Sequence, residues 1–77
     1  MQAIKYTVNY NDKFVNNYDA GIAQFERDFA DYLRGAEGED VGGVVLYYRD
    51  NNEIAFYDYE RGVGIVKALE NDCYISE

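Results

Sequence analysis

Residues 44–57 read VVLYYRDNNEIAFY, two apolar runs separated by a polar turn. Both runs are rich in the β-branched and aromatic residues that favour strands. The segment between them, Asp50-Asn51-Asn52, has turn chemistry, because Asn tolerates the positive φ that a tight hairpin needs. The sequence therefore predicts two antiparallel strands that pair through a short turn, and the rest of the chain is built around this hairpin.

An alternating segment near the N-terminus predicts another strand. Its apolar residues are Ile4, Tyr6, Val8 and Tyr10, and polar residues lie between them. A period of two is typical of a half-buried strand with one face in water.

The segment between this strand and the hairpin has helical spacing. Its apolar side chains recur at steps of three and four residues, at Ile22, Phe25, Phe29 and Leu33. Such a stripe predicts one helix that is buried along one side. We expect Asp19 to cap its N-terminus and Gly35 to end it in a left-handed conformation.

The remaining segments are shorter. Residues 35–43 hold four glycines and three acids, which predicts a mobile acidic loop. Residues 61–64 predict a turn or bulge. Residues 65–69 fit either a strand or one helical turn, and the β-branched residues around them favour the strand. Residues 73–75 are expected to add a short edge strand.

These segments together predict a single α+β domain over residues 1–77. One helix packs on an antiparallel sheet of three to five strands, in β-α-β-β-β order and in two layers. A chain of 77 residues accommodates one domain, and no linker or internal repeat divides it.

We expect one face of the sheet to remain uncovered. If Val44, Leu46, Tyr48, Ile54 and Phe56 face the helix, the far face carries Val45, Tyr47, Ala55, Tyr57 and Tyr59. Three tyrosines there (Tyr47, Tyr57 and Tyr59) would form an aromatic patch suited to partner binding. Two alternatives stay open: these tyrosines only shield the sheet, or they pack in a homodimer.

Charge limits the partners. The chain has 15 Asp and Glu against 7 Lys and Arg, no His, and a net charge of −8. Such a charge disfavours direct binding to nucleic acid or to an anionic membrane and favours basic protein surfaces. Acidity that serves only solubility is the alternative. The single Cys73 cannot form an internal disulfide, and the N-terminus lacks a signal-peptide pattern, so we expect a complete small cytoplasmic protein.

The sequence offers little for catalysis. With no His and one Cys, the usual nucleophile–base pairs and a four-ligand zinc site cannot be built. Gly62-Val63-Gly64 lacks the third glycine of a dinucleotide loop, and Asp50–Glu53 lacks the ligand spacing of a calcium loop. We expect no enzyme activity, no cofactor and no metal, and an inert Cys73.

The acids suggest a binding function. Closely spaced carboxylates on a folded surface can imitate phosphates, and a groove lined with Lys and Arg can accept them. The candidate acids lie on the helix, in the loop and around the hairpin: Asp28, Asp31, Glu37, Glu39, Asp40, Asp50, Glu53, Asp58 and Glu60. The expected partner-binding set is these acids together with the three tyrosines.

In its size, negative charge, tyrosine content and lack of catalytic residues, the chain resembles the small acidic anti-CRISPR and anti-restriction inhibitors of phages and mobile elements. The resemblance implies an inhibitor that occupies the nucleic-acid-binding surface of a CRISPR effector or a similar enzyme in the bacterial cytoplasm. It assigns no roles to individual residues. The alternative is a small host regulatory or structural protein that homodimerises through the tyrosine face.

Overall fold

A computed structural model describes the backbone of residues 4–10 and 17–68 and the side chains of residues 6–10 and 17–67. Six elements follow one another: β1 (Ile4–Asn9), α1 (Tyr18–Asp28), β2 (Glu37–Val41), β3 (Val44–Arg49), β4 (Asn52–Asp58) and β5 (Val63–Ala68). The predicted α+β class, with one helix and an antiparallel sheet, is confirmed. The strand predicted at 73–75 and Cys73 lie outside the described residues.

The five strands form one antiparallel sheet in the order β1-β5-β4-β3-β2. β1 and β2 are consecutive in the chain but lie at opposite edges, so the segment containing α1 carries the chain across the sheet. The helix packs on one face of the sheet, and this gives the two layers.

The ring of Phe25 is at the centre of the contact between the layers. It is fully buried, and its centroid lies 5.6 Å from that of Tyr47 and 5.7 Å from that of Tyr57. Gly64 on β5 makes this approach possible, because a Cβ there would lie 2.4 Å from the Phe25 ring. The aromatic stripe of the helix and a glycine in the sheet together set the distance between the layers.

The helix begins and ends earlier than the sequence predicts. Asn17 is the N-cap, and its side chain accepts a hydrogen bond from the Ala20 backbone N–H at 3.3 Å. Asp19 lies in the first turn and is not the cap. The helix ends at Asp28, and turns then continue to Gly35, whose φ of +80° therefore closes a turn and not the helix. These turns bring Tyr32 into the core.

The predicted acidic loop at 35–43 is wrong, because most of it is strand β2. Its five residues pair in register with β3. The strands join through Gly42 and Gly43, whose φ values of +50° and +91° fit a two-residue hairpin turn. The hairpin predicted at residues 44–57 is confirmed, and Asp50 and Asn51 form its turn with φ values of +53° and +66°. Residues 63–68 form the preferred strand.

The predicted faces of the hairpin are inverted. Val45, Tyr47, Ala55 and Tyr57 are buried on the helix side, whereas Val44, Leu46, Tyr48 and Phe56 are only partly buried on the other side. A β-bulge explains why Ile54 is nevertheless buried. Tyr47 pairs with Ala55 and Tyr48 with Glu53, so Ile54 is an extra residue in β4 and is buried beside Ala55.

Candidate partner-binding surface

Two of the three tyrosines predicted to bind a partner are core residues. Tyr47 is 4% exposed and Tyr57 is fully buried. Burial, followed by the nearby carboxylate of Glu26, raises the pKa of the Tyr47 phenol, whose hydroxyl donates to Glu26 at 3.3 Å. Burial also raises the pKa of Tyr57. The predicted aromatic patch does not exist in this form, because both rings fill the space under the helix.

Tyr59 does lie near the surface, beside a residue that the sequence did not single out. Its ring packs against Tyr18, with centroids 4.5 Å apart, and Tyr18 is 48% exposed. The Tyr59 hydroxyl donates to Asp40 at 2.8 Å, and this hydrogen bond is the main cause of the raised pKa of Tyr59. Tyr18, Tyr59 and Asp40 therefore form a small aromatic and acidic group.

Four of the predicted acids are engaged by neighbouring side chains. Asp28 accepts from the Tyr10 hydroxyl at 3.0 Å and from the Gln24 amide at 2.7 Å. Asp31 pairs with Arg34, Asp58 pairs with Arg61, and Glu53 pairs with Lys67. Asp58 also accepts from two backbone N–H groups of the following turn. The charges of Asp31, Asp58 and Glu53 are therefore paired with cations, whereas the partners of Asp28 are neutral.

Four other acids have no hydrogen bond or ion pair through their side chains among the described residues: Glu37, Glu39, Asp50 and Glu60. Asp50 lies in the β3–β4 turn, and Glu60 lies in the turn before β5, beside Gly43. Glu37 and Glu39 lie on β2, two residues apart, so they project from the same face of the sheet. The register places Glu37 opposite Tyr48.

Glu37, Glu39 and Tyr48 border an open cleft at the edge of the sheet. It has a volume of about 500 Å³ and is lined by Glu37, Gly38, Glu39, Tyr48 and Asn51. We call it the edge cleft. Its chemistry is two carboxylates, one aromatic ring and one amide, a set that attracts a cation with an apolar stem.

The basic side chains that the structure describes make their contacts away from Glu37 and Glu39. Arg34, Arg61 and Lys67 pair with acids outside β2, and Arg27 donates to Gln24. Arg49 follows Tyr48 in the chain, but its guanidinium donates to the Tyr32 carbonyl oxygen and lies over the Tyr32 ring. Within residues 6–10 and 17–67, no basic side chain neutralises Glu37 or Glu39.

The face of the sheet opposite α1 is apolar along its three central strands. We call it the open face and define it by Val44, Leu46, Phe56, Val63 and Ile65. Leu46 pairs with Phe56, which pairs with Ile65, so the three side chains form a continuous row across three strands. All five residues are partly exposed. No described element covers this face.

The described residues provide no further site. No three metal-ligating side chains cluster in the part of the chain that the structure describes. No helix among these residues has the length and hydropathy needed to cross a membrane.

Sequence reasoning found the acids of the surface but missed three of its members. Tyr18 was not placed, Tyr48 was assigned to the helix-facing side of the sheet, and Asn51 was assigned to a turn. The alternation of β3 could have placed Tyr48 correctly only if the face of Tyr47 had been known, because the two residues are adjacent and alike.

No family model matches the chain, and no curated protein and no solved structure matches it either.

Proposed function

We propose that the chain is a non-catalytic acidic binding protein that blocks the nucleic-acid-binding surface of a basic partner. The observation that carries this proposal is the edge strand β2, where Glu37 and Glu39 are exposed and have no described cationic neighbour. A basic groove that approaches this edge meets charge that the fold itself does not neutralise.

The spacing of these acids supports phosphate mimicry. Residues of an antiparallel strand advance by about 3.4 Å each, close to the axial rise of about 3.4 Å per phosphate in one strand of DNA. Glu37 and Glu39, which share one face, therefore stand at the axial positions of the first and third phosphates of a run along such a strand. Asp40 projects from the helix side, where the Tyr59 hydroxyl fixes it.

The proposed partner is a nucleic-acid-binding protein of the bacterial cytoplasm, such as a CRISPR or restriction effector. This choice follows the resemblance to phage-type inhibitors in size, charge and lack of catalytic residues. In this proposal the chain does not bind nucleic acid itself, because its net charge of −8 repels phosphates.

Capture followed by competition tests this function. The immobilised chain is exposed to a nuclease-treated bacterial lysate, and bound protein is eluted with duplex DNA at constant ionic strength. We expect DNA to release a basic protein, and the purified protein to lose DNA binding when the chain is added. The E37Q/E39Q variant should capture less of it.

The control variant D19N/E26Q removes the same amount of charge outside β2 and outside the expected partner-binding set, and an amide oxygen at position 26 can still accept from the Tyr47 hydroxyl. It should capture the partner as well as the unmodified chain does. Capture that neither DNA nor E37Q/E39Q diminishes would contradict the proposed function.

The open face favours a second candidate, which is self-association of a small regulatory or structural protein. The residues of this face lie on β3, β4 and β5, and three strands of about six residues span roughly 14 × 20 Å, or about 280 Å² of flat area, close to the lower end of the apolar patches that are often functional. A second copy would bury the row of Leu46, Phe56 and Ile65 against its own. Such a dimer strengthens in sulfate, whereas acid-mediated binding weakens with salt, so sedimentation at rising sulfate separates the two candidates.

A further inference from the structure

β2 is an edge strand that is exposed along its whole length. Its residues pair with β3 on one side, and no described strand lies beyond it on the other. All five of its residues are exposed, on both faces of the sheet. A strand paired on one side only leaves a row of backbone N–H and C=O groups on its other side, which a further strand can use.

This edge is regular enough to accept a strand. The five pairs between β2 and β3 follow one another without a register shift, whereas the shift in the sheet lies between β3 and β4. The usual obstacles on an edge are proline, a bulge and charged side chains, lysine above all. The sequence EGEDV of β2 has no proline and no lysine, and its charged residues are all acids, which repel an acidic strand and attract a basic one.

The charges of β2 select what can pair with it. A second copy that paired antiparallel with all five residues would place Glu39 opposite its own counterpart, and like charges directly opposite destabilise a sheet. An extended basic segment meets the reverse situation. Its cationic side chains would lie beside Glu37 and Glu39 on one face and beside Asp40 on the other.

The edge cleft adds a place for one such side chain. Its volume of about 500 Å³ lies within the range of ligand pockets, and it opens beside Glu37 and Glu39. The ring of Tyr48 can contact the stem of a lysine or arginine while the two carboxylates hold the charge.

We propose that β2 accepts an extended basic segment of the partner as a sixth strand, with a lysine or arginine of that segment in the edge cleft. This inference rests on the proposed function and specifies its contact. Backbone pairing provides the affinity, and the carboxylates select basic segments over a second copy.

Synthetic peptides test the inference without a natural partner. The probe is the capped heptapeptide KVKVKVK, whose lysines share one face when it is extended. The control is the same peptide N-methylated at every backbone nitrogen, which keeps the charge but cannot donate to a strand. We expect the unmethylated peptide to bind at least about tenfold more tightly, because two or three backbone hydrogen bonds are gained. Amide exchange at residues 37–41 should slow only with this peptide.

Variants of the chain test the charge requirement in the same experiment. E37Q/E39Q should weaken KVKVKVK binding at least about fivefold, and the charge-matched D19N/E26Q should leave it nearly unchanged. Equal affinity for the two peptides, with E37Q/E39Q still weakening both, would overturn strand addition and leave the acidic function standing. Binding that ignores E37Q/E39Q would overturn both. A dimer of the chain held through β2 in sedimentation would assign the edge to a second copy and overturn the inference.

Discussion

At the scale of single residues, the distance between the two layers depends on Gly64. The Phe25 ring occupies the space in which a side chain at position 64 would lie. The ring is fully buried and surrounded by Tyr10, Tyr47 and Tyr57, so it has little freedom to move aside.

Gly64→Ala should therefore lower the free energy of unfolding by about 1–3 kcal/mol, the usual cost of overpacking a core. Urea denaturation measures this change. The matched control is Gly38→Ala, whose Cβ would meet the Tyr47 ring at 3.5 Å, an ordinary contact. It should change the free energy of unfolding by less than about 0.5 kcal/mol. Equal effects of the two substitutions would show that Gly64 is not needed for the close approach.

The buried tyrosines make stability depend on alkaline pH. Burial is the first cause of the raised pKa of Tyr10, Tyr47 and Tyr57, and neighbouring carboxylates add to it. In the unfolded chain these phenols ionise near pH ~10. Above that pH the unfolded state binds fewer protons than the folded state, so the free energy of unfolding falls as the pH rises.

We expect the contribution of these three tyrosines to the free energy of unfolding to be fully present below pH ~10. Above that pH it should fall by roughly 1.4 kcal/mol per pH unit for each of them. Denaturation at pH 9 to 11 measures the slope. Tyr47→Phe should make the slope shallower, because one titrating group is removed. An unchanged slope in this variant would contradict the assignment of Tyr47 to the core.

At the scale of elements, the start of α1 has two polar side chains with different roles, the amide of Asn17 and the carboxylate of Asp19. Asn17 accepts a hydrogen bond as the N-cap, whereas Asp19 can act only through its charge at the positive end of the helix.

Asn17→Ala should cost about 1 kcal/mol at any ionic strength, because a hydrogen bond is lost. Asp19→Ala should cost about 0.3–1 kcal/mol at low salt and less at high salt, because a charge interaction is screened. Thermal unfolding of both variants at two salt concentrations compares them. A salt-dependent loss in Asn17→Ala would mean that its cap is not the stabilising contact.

The elements with a clear apolar period were predictable from the sequence, and β2 was not. The period of Ile22, Phe25 and Phe29 marks the helix, although its ends depend on capping geometry that the period does not contain. β2 has three acids and a glycine, and it is a strand because the Gly42–Gly43 turn folds it back onto β3. The sequence of β3 is apolar on both faces, so alternation could not decide which face is buried.

The candidate surface was likewise only partly predictable from the sequence. Its acids were visible in the composition, but the edge cleft requires the pairing that places Glu37 opposite Tyr48. That pairing depends on a strand which the sequence pattern had assigned to a loop.

At the scale of the whole molecule, charge opposes compactness. With a net charge of −8, the acidic side chains repel one another more strongly in the folded chain, where they lie closer together, than in the unfolded chain. The exposed acids on β2 add to this repulsion.

Raising NaCl from about 10 mM to about 200 mM should therefore raise the melting temperature of the chain, because screening reduces the repulsion over distances of about a Debye length. The E37Q/E39Q variant should melt higher than the unmodified chain at low salt and gain less from added salt. Calorimetry measures both effects. A melting temperature that is insensitive to salt in both proteins would show that self-repulsion does not limit stability.

The bulge in β4 also determines which single-codon deletions in the gene preserve the alternation of this strand. Ile54 is the extra residue, so the two parts of β4 on either side of it each keep their own alternation. Loss of the Ile54 codon would leave Glu53 and Ala55 on the faces they occupy now. Loss of the Phe56 codon would instead invert the faces on one side of the gap, which places core residues in water. A single-codon deletion at Ile54 therefore leaves the sheet pattern intact, at the cost of one buried side chain and of the hydrogen bond from the Tyr32 hydroxyl to the Ile54 carbonyl oxygen.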